Sequence, residues 1–228
     1  MGIDEIMRLL DLMGVFFNAI LGGVLARSYR LDAIGFAVLA VLSGLGGGII
    51  RDLLLQAGPP VAMTDSAYLI TALVGAGTAL LIRIESRVWD RVFPPIDALA
   101  IGLWATVGAQ KTLTVGLSPL TAVLLGMITA VGGGFSRDVV LRRIPGILGG
   151  NTLYATGAMA AAVTQVIFSL ADHAQIGSIV ATLVGMTLVL IARYRGWMLP
   201  PGAGWKPPRP KPPNLRRSTR RPRRRRSE

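Results

Sequence analysis

The sequence predicts an all-α membrane protein: seven transmembrane helices, built as two inverted three-helix repeats plus one extra C-terminal helix. Three observations lead there. Of 228 residues, 52% are hydrophobic and 16% charged, and the mean hydropathy is +0.56. That leaves too little polar surface for a water-soluble chain of this length. Seven apolar stretches have the length of a membrane span, and an internal repeat recurs at an offset of 86 residues.

A spanning helix needs about 20 mostly apolar residues. Such stretches lie roughly at 11–27, 33–57, 65–83, 97–114, 119–141, 151–170 and 174–193. With no water at membrane depth, each must satisfy its own backbone groups as a helix. The alternating pattern of an outer-membrane barrel is absent from them. The second and fifth stretches are interrupted by triple glycines, Gly46–Gly48 and Gly132–Gly134. Asp4, Glu5 and Asp11 precede or open the first stretch where a cleaved signal peptide would carry basic residues.

Orientation follows from basic residues in the connections. Alternate connections hold Arg27 and Arg30, then Arg83, Arg87 and Arg91, then Arg142 and Arg143, then the tail; the opposite set holds little beyond Lys111 and His173. The expected topology is N-terminus outside and C-terminus cytoplasmic, in the cell (inner) membrane. The tail is strongly basic: thirteen of the 24 Lys and Arg and one of the twelve Asp and Glu lie from Arg193 onward, so the whole net charge of +12 sits there. The expected organisation is a membrane domain over 1–195, with repeat one at about 8–92, repeat two at about 94–171 and the seventh helix at 174–193. A disordered tail over 196–228 follows. Its expected partner is anionic lipid, and no nucleic acid is expected.

No cysteine and a single histidine, His173, exclude thiolate or histidine metal clusters and cysteine nucleophiles. No nucleophile–base set is visible. The expectation is a protein that is not an enzyme and takes no cofactor or metal.

The repeat aligns GGGIIRDLLLQAGP (Gly46–Pro59) without gaps to GGGFSRDVVLRRIP (Gly132–Pro145). The same register pairs Asp11 with Asp97, Gly22 with Gly108, Tyr68 with Tyr154 and Ala72 with Ala158. Three spans per copy make the second enter from the opposite side, and sites in such folds lie where the repeats meet. Each glycine weakens a helix by about 1 kcal/mol relative to alanine, so the triplets read as helix breaks facing protein or a wet cavity. Arg51–Asp52 and Arg137–Asp138 follow, and each intramembrane charge costs roughly 2.5–3.5 kcal/mol. Neighbouring helix positions point apart, so a partner on another helix or water is expected for each. The pairs either staple helix ends or line a polar constriction, and both roles are compatible.

Gly44 and Gly48 form a small-xxx-small pattern, so Gly47 and Gly133 read equally as packing or lining residues. A dinucleotide fingerprint is excluded because Ile49 stands where the third glycine belongs. Lys111 either snorkels to the headgroups or stands at a pore mouth. Gln110, Ser43 and Thr129 are weaker lining candidates. Asp11 and Asp97 are expected near the starts of spans one and four, where a helix N-terminus favours negative charge.

The doubled Gly-Gly-Gly-x-x-Arg-Asp…Pro motif in a seven-span chain, with GAQK (Gly108–Lys111) and GLSP (Gly116–Pro119) before its second copy, resembles a bacterial member of the trimeric intracellular cation (TRIC) channel family. That set is also labelled glycine-transporter-like. The resemblance covers about residues 8–195. It implies a homotrimer with one pore per protomer, surrounded by spans one, two, four and five. It further implies passive permeation of potassium, with sodium less well discriminated. By motif position, the pore and gating candidates are Gly46, Gly47, Gly48, Arg51, Asp52, Lys111, Gly132, Gly133, Gly134, Arg137 and Asp138. The lysine-rich lipid motif of animal members is not found, so phosphoinositide regulation does not transfer. The competing function is secondary transport of a small zwitterion such as glycine, whose carboxylate could meet helix N-terminal amides.

Overall fold

The computed structural model describes residues 3–82, 86–148 and 153–198. Arg83 and the basic tail beyond Met198, with the lipid contact expected of it, lie outside the described residues. The chain folds as α1 (Ile3–Ser28), α2 (Ala33–Leu55), α3 (Val61–Thr64), α4 (Ser66–Leu81), α5 (Ser86–Thr114), α6 (Pro119–Val140), α7 (Tyr154–Leu170) and α8 (Ala174–Arg195). A 3-10 turn at Gly146–Leu148 precedes α7. The helices α1, α2, α5, α6 and α8 are long and apolar enough to cross a membrane, whereas α4 and α7 are shorter apolar helices. Each short helix is the third of its repeat and follows a helical turn, α3 in one copy and the 3-10 turn in the other.

Local chemistry sets the ends. Asp32 caps α2 by accepting from the Gly35 N–H at 2.8 Å, and Asp65 caps α4 by accepting from Ala67 N–H at 3.0 Å. Ser118 caps α6 at Thr121 N–H, with Pro119 at the first helical position. Gly196 closes α8 in the left-handed region at φ 66°.

Within the first repeat α1, α2 and α4 pack on one another, and α5, α6 and α7 do the same in the second. The repeats meet where α2 packs on α6 and α1 on α5, while α8 packs on α5 and α7 of the second repeat. The core is alanine-rich, with Ala19, Ala72, Ala98, Ala105, Ala158 and Ala161 buried. Small side chains let helix backbones approach closely in a membrane. Large apolar side chains such as Ile70, Leu124 and Leu183 lie outermost, as a hydrocarbon solvent permits.

Three expectations are revised. The glycine triplets do not break their helices: α2 and α6 run uninterrupted through them. Close packing across the glycines replaces what their weak helix propensity gives up. The fourth span begins well before 97, since α5 starts at Ser86 and carries Pro94 and Pro95 inside it. Trp89 stacks on Phe93 with ring centroids 4.8 Å apart and packs against the aromatic cluster around Phe16 and Phe36, which holds this extension down. Asp97 consequently lies within α5 rather than at its start, whereas Asp11 does lie near the start of the first span, which begins at Arg8.

Candidate functional site

Each Arg-Asp pair lies in the C-terminal half of α2 or α6, after its glycine triplet. The neighbours pair with each other, and Asp52 also has the expected partner on another helix, Lys111 of α5. Arg51 donates from Nε to Asp52 Oδ1 at 2.8 Å, and Arg137 donates from Nε to Asp138 Oδ1 at 3.2 Å. Successive helix positions do diverge, but an arginine side chain is long enough to fold around to the next carboxylate. The third glycine of each triplet makes room for this, because a Cβ on Gly48 or Gly134 would meet only its own arginine's Nη2, at 3.9 and 3.6 Å. The second carboxylate oxygen of each Asp pins the connection that follows: Val61 N–H donates to Asp52 at 2.9 Å and Gly146 N–H to Asp138 at 3.3 Å.

These pairs face two separate cavities. The first, of about 230 Å³, is lined by Asp11, Gly47, Gly48, Arg51, Asp52, Tyr68, Trp104, Lys111 and Thr129, among others. Lys111, from near the end of α5, places its Nζ 2.8 Å from Asp52 Oδ1. That settles its position as a partner of the motif. Asp11 accepts from the Tyr68 hydroxyl at 2.6 Å and the Trp104 Nε1–H at 2.7 Å. The second cavity, of about 510 Å³, is lined by Asn18, Leu25, Asp97, Gly134, Arg137, Asp138, Arg143, Tyr154 and Arg193, among others. There Asp97 accepts from the Tyr154 hydroxyl at 3.0 Å.

The two cavities occupy opposite ends of the same helices. Residues 11 and 15 of α1 line the first, and residues 18, 21 and 25 the second. On α5 the order reverses, with Phe93, Pro94 and Asp97 in the second and Trp104, Val107 and Lys111 in the first. No lining residue is shared. Between them α2 crosses α6 at van der Waals distance. A methyl group on Gly47 would overlap the Thr129 carbonyl oxygen, and one on Gly133 the Ser43 carbonyl oxygen. A Cβ on Gly132 would sit 2.9 Å from Gly47 Cα, and one on Gly46 3.2 Å from Gly133 Cα. The first two glycines of each triplet are therefore packing residues at the crossing, Gly47 also bordering the first cavity, and the third faces its cavity.

Ser43 and Thr129 occupy equivalent positions beside that crossing. Thr129 Oγ1 bonds the Leu125 carbonyl at 2.6 Å and lines the first cavity, whereas the buried Ser43 hydroxyl has no hydrogen-bond partner among the described residues. Gln110 instead bonds the buried Gln165, away from both cavities.

The sequence alone reads Asp11 and Asp97 as charges near helix N-termini and does not mark Tyr68, Tyr154, Trp104, Asn18, Arg143 and Arg193 as cavity linings. A signal existed for part of this. An Asp is followed by a Tyr at 57 residues in both copies, a pairing that a buried acid needs and a helix cap does not.

A family described as Glycine transporter matches this chain twice, at residues 8–83 and 95–170. The chain belongs to that family, which is the TRIC family. The inner membrane protein YadS of Escherichia coli K12 is 35% identical over 189 residues, covering 81% of this chain and 88% of that protein. A structure solved to establish the basis for conductance through TRIC cation channels superposes with a TM-score of 0.78 at 31% identity, covering 85% of this chain and 96% of that one. The trimeric intracellular cation channel orthologue from Rhodobacter sphaeroides superposes with a TM-score of 0.74 at 28% identity, covering 84% and 98%. This TRIC-family chain thus has the fold of solved cation channels over nearly all of its described residues.

Proposed function

We propose that the chain forms a homotrimeric channel for monovalent cations, with one passive pore in each protomer. In this reading the pore conducts potassium and discriminates sodium less well. The observation that carries it is the pair of charged cavities at opposite ends of one helix bundle, aligned across the α2–α6 crossing. A path joining them runs past Asp52 at one end and Asp138 at the other. Arg51 and Lys111 both pair with Asp52 and are balanced by it together with Asp11 in the same cavity, while Arg137 pairs with Asp138. The crossing at Gly47 and Gly133 is the closed point, and separation of two backbones that meet without side chains is the movement that opens it.

The solved TRIC cation channels of the same fold support this reading and do not favour the zwitterion transporter. The membrane is the cell inner membrane, as the likeness to YadS suggests, with the N-terminus outside and the basic tail against anionic lipid on the cytoplasmic side. Purified protein in proteoliposomes under a potassium gradient tests it. Fast potassium flux that excess glycine neither blocks nor stimulates is the expected result. Saturable uptake of labelled glycine without potassium flux overturns it.

A further inference from the structure

The two cavities are related by the repeat, yet they do not carry the same charge. In the first, Asp11 and Asp52 face Arg51 and Lys111, a formal balance of zero. In the second, Asp97 and Asp138 face Arg137, Arg143 and Arg193, a formal balance of +1. The repeat register identifies the source of the difference. Leu25, at the position equivalent to Lys111, lines the second cavity as Lys111 lines the first. The second cavity therefore lacks the cation that the symmetry would supply. It carries two others instead: Arg143, whose repeat equivalent is Ala57, and Arg193, from the last turn of α8, the helix outside the repeats.

The carboxylates of this cavity already accept from Arg137, Gly146 and Tyr154. Arg143 and Arg193 add positive charge without forming an ion pair among the described residues. A unit charge about 8 Å from a cation in water-filled space changes the local cation concentration about two-fold. Such a charge at one end of a pore acts on ions entering from that end, because those from the other side have already passed the closed point before they meet it.

Resting on the channel reading above, we propose that Arg143 and Arg193 make the pore rectify: cations enter less readily through the second cavity than through the first, by about two-fold. The two arginines are determinants of direction rather than of the permeant ion.

Single-channel recordings of the full chain in planar bilayers with symmetric KCl at about 0.1 M, where screening extends about 10 Å, test this without knowing which way each channel inserts. The quantity is the ratio of the larger to the smaller current at equal and opposite voltages. The parent is expected near 2. Arg193→Gln, which leaves the cavity neutral, is expected near 1, as is Arg143→Gln. Arg193→Glu is expected to return the ratio to about 2 or above by reversing the sign of the surplus. The parent's ratio is expected to collapse towards 1 at about 1 M KCl, where the screening length shrinks to about 3 Å. Both arginines are exposed at the cavity edge, so the substitutions leave the packed bundle intact. A parent that conducts with a ratio unmoved by either substitution or by salt overturns this proposal and leaves the channel reading standing. A reconstituted parent that passes no potassium current overturns both.

Discussion

Asp52 gathers three donors on one carboxylate: Arg51 and Lys111 on Oδ1 and the Val61 N–H on Oδ2. Its equivalent, Asp138, gathers two, Arg137 and the Gly146 N–H. Asp52→Asn therefore strands two cations in a narrow cavity, and Asp138→Asn strands one. On the channel reading, potassium flux falls several-fold in the first variant and about two-fold in the second, measured by proteoliposome efflux at matched protein content. Parental currents in both variants would remove the motif from the pathway. Asp65, the cap that precedes α4 (Ser66–Leu81) and so lies outside the third span as the structure draws it, gives a pH prediction. The Arg8 guanidinium, 2.6 Å from Asp65 Oδ2, holds that carboxyl below its ordinary value, and the Ala67 N–H acts in the same direction. Because the folded value is depressed, the stabilisation is present above the ordinary carboxylate value of about 3.9 and is lost as pH falls through the lower one. The thermal midpoints of the parent and Asp65→Asn should differ at neutral pH and converge well below pH 4.

Among the elements, α2 and α6 show where reading the chain as text succeeds and where it stops. The triplets, their charges and their repetition are plain in the sequence. That Gly46–Gly48 and Gly132–Gly134 leave their helices unbroken is not, since propensity argues for a break and the compensation comes from a helix distant in sequence. The same limit hid the start of α5. Pro94 and Pro95 argue for a helix start, yet the stacked pair Trp89 and Phe93 carries the helix back to Ser86. The roles within a triplet make a sharp contrast to test. Gly47→Ala forces a methyl against the Thr129 carbonyl and should cost about 1–3 kcal/mol by overpacking. Gly48→Ala meets only a flexible guanidinium and should be neutral or stabilising by up to about 1 kcal/mol. Thermal unfolding in detergent reads both, and equal losses at the two positions would contradict the crossing described here.

For the whole molecule, the described bundle ends at α8, and the chain beyond it carries eleven of the 24 Lys and Arg and one of the twelve acids, which is most of the net positive charge. On the homotrimeric channel reading, a chain ending at Met198 is expected to match the full chain in mass by light scattering and in potassium flux, while losing retention on vesicles rich in phosphatidylglycerol. Loss of the trimer on truncation would place the tail in assembly instead. The seven-helix class and the meeting of the repeats were legible because hydrophobic length and a shared register of Arg, Asp, Pro and Tyr are local properties of the sequence. The division of the interior into two chambers was not, because each takes residues from both repeats. Trp104 of the second copy stands beside Asp11, and its equivalent in the first copy, Asn18, lines the cavity of Asp97.

That exchange of residues has an evolutionary consequence. Half of this chain cannot build either chamber, but two identical halves inserted in opposite orientations could build both. On the channel reading, a single half of this kind would work as a dual-topology pair, bound by symmetry to conduct alike in both directions. A chain holding both halves is free of that constraint. With separate codons for each half, lysine can stand at 111 and leucine at 25, and a helix that follows the second half can reach one chamber and leave the other untouched.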